Sequence, residues 1–267
     1  MKRSIVLWIL AIIITISSAV YQRITGPTQP VSGSKKVGGN EIRYTLLRNH
    51  DSTSDADMEI SIPDMIITGS VSWRRFRSYD TLQTNPLVRE GDKLIVSIPK
   101  QPAAGKVAYE VKLYDSTGTG YDLTNKPVII RFKDPVPLPV MIAHILLIFM
   151  AMLYSTRTGL EAIVRGDKVY RQTILTVILL LVGGMFLGPV VQKYAFGAFW
   201  TGWPIGHDLT DNKTAVAMIF WLIALWRIKA KNKGRGWVIA ASIVTLVIFL
   251  IPHSVLGSEL DYTKTAP

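Results

Sequence analysis

The residues able to do chemistry gather late in the chain. His144, His207 and His253 are three of its four histidines, Trp200 and Trp203 stand in a glycine-rich loop, and Asp208 and Asp211 follow His207 closely. A neutral imidazole keeps a lone pair on one ring nitrogen and is the usual axial ligand of haem iron. His207 with Asp208 and Asp211 has donor types that suit zinc or manganese. A histidine at a helix end also serves simply to reach headgroups or a free carbonyl, and a tryptophan at a membrane interface also serves simply as an anchor. Other chemistries are poorly served. The chain has no cysteine, which excludes disulfides, thiol catalysis and the C-x-x-C-H attachment of c-type haem. Ser254 adjoins His253, but a nucleophile and its base must meet in space with an orienting third group, and no nucleophile-elbow pattern surrounds Ser254.

Long apolar runs must position these side chains. Five runs, 4–20, 140–154, 173–191, 214–228 and 237–251, approach the about 20 apolar residues that a helix needs to cross the hydrocarbon core. The first is short and ends in Ser17, Ser18 and Ala19, so residues 1–21 read either as a transmembrane anchor or as a signal peptide. The net charge of +11 sits mainly beside these runs: Lys2 and Arg3, then Arg157, Arg165, Lys168 and Arg171, then Arg227, Lys229, Lys231, Lys233 and Arg235. Basic residues in short loops mark the cytoplasmic side, so the charge reads as topology and requires no nucleic acid. The alternation then places residues 21–139, the loop 192–213 and the chain after Pro252, with the tail 258–267, outside the cytoplasm. His144, His207 and His253 all fall on that outer face.

Between the first run and Pro135 the pattern changes to short alternating segments broken by turn residues. Candidate strands are 41–47, 58–62, 66–75, 93–98, 106–114 and 128–132, and their spacing predicts an all-β immunoglobulin-like sandwich over 22–134. Arg74, Arg75 and Arg77 read either as a solvated strand face or as an anion site. The proline-rich stretch 135–139 is a stiff connector to a four-helix transmembrane domain over 140–257. The expected fold is an α-helical membrane bundle of four to five transmembrane helices carrying an extracytoplasmic β-sandwich.

Residues 196–224, with Trp200, Trp203, Asp211, Lys213 and the run Phe220-Trp221-Leu222-Ile223-Ala224, resemble the tryptophan-rich WWD segment of the haem-handling proteins of cytochrome c assembly. That family carries Trp-Gly-x-x-Trp-x-Trp-Asp-Pro-Lys-Glu-Thr ahead of a helix containing Trp-Leu-Ile. It has one histidine at the outer end of a helix two spans before the segment and another outside, two spans after it. His144 and His253 occupy those places, and Ile251-Pro252-His253-Ser254 is similar to the Leu-His-Ser-Tyr-Gly of the synthetase branch. The resemblance covers 140–257. The chain departs from it in residues inserted around 204–208, in lacking the Asp-Pro pair and the Glu, and in the additional His207.

The resemblance implies an integral protein of the inner membrane that presents haem b at the outer face. His144 and His253 would ligate the iron, with His207 as a third participant, and Trp200 and Trp203 would pack on the porphyrin. Lys193 and Lys213 are the nearby cations for its propionates. The implied partners are the lipid bilayer and an apocytochrome or another membrane-complex subunit. Two other readings stay open: a non-catalytic structural or assembly subunit whose β domain binds a periplasmic partner, and a b-type cytochrome. The topology makes a direct prediction. A reporter fused at the C-terminus is active outside the cytoplasm and one fused within 229–235 is active inside; the reverse pattern would remove the three histidines from the outer face.

Overall fold

The computed structural model describes residues 2–231, 234–252 and 257–264. The chain folds as two compact units. One comprises the chain up to Pro27 with Val136–Ser258; the other comprises Thr28–Pro135 with the tail from Glu259.

The first unit is helical: α1 (Lys2–Thr25), α2 (Leu138–Ile163), α3 (Val169–Leu180), α4 (Leu187–Phe196), α5 (Leu209–Lys231) and α6 (Arg235–Leu250). A π turn, Leu181–Phe186, joins α3 to α4 without a break. Among the described residues three helices are long and apolar enough to cross a membrane: Arg3–Thr25, Leu138–Ile163 and the continuous Val169–Phe196. That is fewer than the four to five expected. The physical reasons are that α6 has 16 residues, a rise of only about 24 Å, and that α5 carries Asp211, Lys213, Arg227, Lys229 and Lys231.

Small residues let these helices approach. A Cβ on Gly159 of α2 would lie 2.3 Å from the Ser242 hydroxyl of α6, so glycine is required at that crossing. Trp221 is fully buried and donates from Nε1 to Thr245 Oγ1 at 2.8 Å, which satisfies the one polar atom it brings into the core. On α1, Leu7, Ala11, Thr15 and Ser18 form the buried stripe, and Trp8 meets Tyr154 of α2 edge-on.

Hydrogen bonds between helix ends fix how the helices alternate. Arg3 donates to the carbonyl of Val164, Arg157 pairs with Glu161 at 2.7 Å and reaches Ser4, and Arg235 donates to the carbonyl of Gly166 at 2.7 Å. These join the start of α1, the end of α2 and the start of α6. At the opposite end, Gln22 donates to the carbonyl of Phe249 at 2.8 Å and Lys213 to that of Ile251 at 2.9 Å. The end of α1, the start of α5 and the end of α6 therefore meet there.

The second unit is built of strands β1 (Val31–Val37), β2 (Asn40–Leu46), β3 (Asn49–Asp51), β4 (Ala56–Ser61), β5 (Thr68–Arg75), β6 (Gln83–Pro86), β7 (Val88–Glu90), β8 (Lys93–Ile98), β9 (Lys106–Tyr114), β10 (Gly120–Asp122) and β11 (Val128–Lys133). They form a β1-β2 hairpin, a sheet ordered β3-β11-β9-β5-β6 with β10 on β9, and a sheet ordered β4-β8-β7. All pairings are antiparallel except β3 with β11. The alternation on β9 buries Val107, Tyr109, Val111 and Leu113, and that on β4 buries Ala56, Met58 and Ile60. These residues join one apolar core shared by the sheets. Tyr109 donates its hydroxyl to the carbonyl of Leu47 at 2.8 Å, so its polar tip is satisfied inside that core.

The β core closes on residues between Thr28 and Pro135, so a fragment spanning 28–135 is expected to unfold cooperatively in urea. Its acid response follows from two carboxyls. Hydrogen bonds from Arg75 to Asp80 and from Thr117 to Asp115 hold both carboxyls below their ordinary value. Their stabilisation is present above the unfolded carboxyl value of about 4 and is lost as the pH falls through the lower folded values. The urea midpoint should therefore drop between pH 5 and pH 2; a midpoint unchanged over that range would show that these bonds contribute nothing.

Candidate functional site

Pro189 has no N–H and crowds the carbonyl four residues before it, which disfavours an unbroken α-helical ladder at that point. The π turn lies immediately upstream, with Leu187 N–H bonded to the carbonyl of Val182. His144, in the second turn of α2, has its Nδ1 2.9 Å from the Gly183 carbonyl oxygen. A carbonyl only accepts, so Nδ1 carries the proton and Nε2 keeps the lone pair. Among the described residues Nε2 has no hydrogen-bond partner. The approach depends on glycine: a Cβ on Gly183 would lie 2.8 Å from the Leu147 Cβ, and one on Gly184 would lie 2.9 Å from the Thr214 methyl. The π turn is thereby wedged between α2 and the first turns of α5.

The loop after α4 begins at Gly197, whose φ of +84° reverses the chain where a side chain would be strained. Buried carboxylates on the start of α5 then hold the loop down. Asp211 Oδ2 accepts the backbone N–H of Thr201 at 2.7 Å and of Gly202 at 3.0 Å, and Asn212 Oδ1 accepts that of Trp203 at 2.6 Å. Asp208, just before α5, accepts Thr210 N–H at 2.8 Å through Oδ1, an N-cap arrangement. Its Oδ2 accepts both the N–H and the hydroxyl of Ser258 at 2.8 Å. Thr201 Oγ1 joins this cluster, receiving Gln192 Nε2 at 2.6 Å and lying 2.7 Å from the Ser258 hydroxyl.

The expected site residues have separate positions. Trp200 donates Nε1 to the carbonyl of Trp203 at 3.1 Å, while the Trp203 ring is 75% exposed beside an equally exposed Ile205. Lys213 is buried and gives its ammonium to the carbonyl of Ile251. Lys193 donates to the carbonyl of Gly197 at 2.7 Å and lies over the Phe199 ring. Both expected propionate cations thus hold backbone carbonyls. His207 is exposed. Among the described residues no three His, Asp or Glu side chains converge to hold a metal ion, since Asp208 and Asp211 are committed to the loop. His253 lies outside the described residues; Ile251, two positions earlier, belongs to the end of the unit where Lys213 and Gln22 meet α6.

The sequence reading missed the roles of Gln192, Asp208, Asp211, Gly183 and Ser258. An aspartate just before a helical run is a readable N-cap signal, so Asp208 was accessible. Ser258 and Gln192 carry no local signature, because their partners lie across the fold. Comparison with family models, curated proteins and solved structures gives no match.

Replacing Asp211 with alanine leaves the buried N–H of Gly202 and that of Thr201 without an acceptor, a cost of about 1–3 kcal/mol for each group that stays buried. Amide exchange across 200–203 should accelerate by at least about tenfold in Asp211→Ala, while the helical amides of α2 stay protected. Unchanged protection of 200–203 would show that the loop is held by something else.

Proposed function

We propose that this chain is a multi-pass protein of the inner membrane that handles haem, with the loop end of its helical unit, the β unit and the C-terminus on the outer side. The β unit is read as an immunoglobulin-like sandwich and the bundle as four to five spans, α5 and α6 included. The observation that carries the reading is the fixed imidazole of His144. A histidine that ligates a metal commonly donates its other ring N–H to a carbonyl, which fixes the tautomer and aims the ligating nitrogen. His144 has that arrangement with Gly183, and the resemblance assigns this same histidine to iron.

The fit to haem is partial on the chain's own residues. His144 offers Nε2, and His253 is the second imidazole that the resemblance names. Trp203 offers an exposed ring, whereas Lys193 and Lys213 already serve carbonyls, so cations for propionates would have to leave those bonds. Haem, when bound, would supply an iron that neutral imidazoles such as that of His144 can ligate. The protein's part is to hold the His144 ring, to keep the loop ordered through Asp208 and Asp211, and to present apolar surface. An apocytochrome or another membrane-complex subunit is the partner such a protein would serve.

The exposed Phe199, Trp203 and Ile205 favour a second reading, a structural or assembly subunit in which this loop is a docking or interfacial surface. An optical spectrum of the purified protein separates the two. Haem-handling predicts that the protein carries or accepts haem, that His144→Ala or His253→Ala abolishes the bis-histidine spectrum with the protein still inserted, and that Trp203→Ala weakens retention without changing the spectral type. Protein from a haem-replete host that shows no haem and binds none on titration would leave the assembly subunit as the reading.

A further inference from the structure

The tail returns to the β unit and fills a basic, aromatic-accepting site there. Glu259 pairs through Oε1 with Arg77 at 2.6 Å and through Oε2 with the ammonium of Lys106. Lys106 and Glu259 keep only 17% and 18% of their side-chain surface, so this pair is largely shielded from water. Three residues on, the Tyr262 ring lies under the Arg75 guanidinium at 4.6 Å, and its hydroxyl donates to Gln101 Oε1 at 3.1 Å. A Cβ on Gly105 would lie 2.6 Å from that hydroxyl, so the ring end rests on bare backbone. Between the two anchors, Leu260 N–H bonds to the carbonyl of Ala104 at 3.1 Å.

Two features distinguish this from an ordinary strand contact. The receiving loops are strained: Arg77 at φ +55° and Ala104 at φ +66° are two of the three non-glycine residues with left-handed backbone among the described residues, and both touch the tail. Such backbone conformations are unfavourable and cluster at ligand clamps. The occupant is also held mainly through its side chains. Among the described residues it makes one backbone hydrogen bond to the unit, and its remaining contacts are an ion triad, a cation–π contact and a tyrosine hydroxyl. Its described residues add no strand to any sheet and none to the β core.

We propose that Arg75, Arg77, Gln101 and Lys106 form a peptide-binding site for a segment with a carboxylate and, three residues later, an aromatic hydroxyl, and that Glu259–Tyr262 is a built-in occupant which an acidic–aromatic segment of a partner protein displaces. Of the Arg-rich run, Arg77 thus meets the carboxylate together with Lys106, while Arg75, paired with Asp80, takes the ring. This inference is independent of haem.

The test uses the full chain in detergent, intact and ended after Ser258, with a fluorescent peptide Gly-Ser-Glu-Leu-Asp-Tyr-Thr-Lys read by anisotropy. Saturable binding to the shortened chain is expected. Binding to the intact chain should be at least about tenfold weaker, because the tethered tail competes at a high effective concentration. Glu→Gln or Tyr→Ala in the peptide, or Lys106→Ala in the shortened chain, should each lower affinity by roughly tenfold or more. An intact chain carrying Glu259→Gln with Tyr262→Ala should regain binding of the unaltered peptide. Absence of saturable binding to a folded shortened chain, or equal binding to both chains, would overturn the proposal. So would loss of β structure in both the shortened chain and the double variant, which would make the tail a part of the fold.

Discussion

A helix in lipid must satisfy its own backbone, because hydrocarbon offers no hydrogen-bond partner. The 169–196 helix departs from a regular ladder at the π turn, and the hydrogen bond between His144 Nδ1 and the Gly183 carbonyl lies at that place. One contact does two things. It supplies a partner to a carbonyl at the irregular turn, and it fixes the tautomer that leaves Nε2 open. The glycines at 183 and 184 permit it by letting α2 and α5 come against the turn. A side chain at either position would push the neighbouring helix away and separate the imidazole from its carbonyl.

The loop is organised by the same logic of satisfying buried polar groups, with carboxylates as the acceptors. Asp208 and Asp211 are buried, yet neither is left to metal or solvent: together they take N–H groups from Thr201, Gly202, Thr210 and Ser258. Lys213, buried beside them in sequence, answers the carbonyl at the end of α6. Charged residues near a transmembrane segment invite a functional reading. Here most of their bonding capacity is spent on holding a short loop and two helix ends in place, and the aromatic side chains of Phe199 and Trp203 are the part of the loop left exposed.

Much of the architecture was legible in the sequence because it rests on periodicity. The six expected segments became β2, β4, β5, β8, β9 and β11; β4, β8 and β9 alternate throughout, and all six send residues into the β core. The short strands β3, β6, β7 and β10 and the hairpin strand β1 were not legible. β6 is exposed at every position and β1 buries only Val37, so hydrophobicity carries no signal there. The apolar runs located the helices, and Pro189 marks where the ladder is disturbed without specifying a π turn. At the site, His144 and the tryptophan loop were found by residue type. The use of Lys193 and Lys213 on carbonyls, and the bridge from Ser258 to Asp208, depend on partners distant in sequence. The tail illustrates the same limit: Glu259 and Tyr262 look like ordinary polar residues until the fold brings Arg77, Lys106 and Arg75 to them.

The central claim is that the His144 imidazole is held with its proton on Nδ1 and its lone pair on Nε2. Nitrogen NMR of protein labelled at histidine ring nitrogens, with His144 assigned by substitution, reads this directly. At neutral pH the His144 pair should show a protonated Nδ1, with its proton in a hydrogen bond, and an unprotonated Nε2. A protonated Nε2 with a bare Nδ1, or fast averaging between the two tautomers, would contradict it.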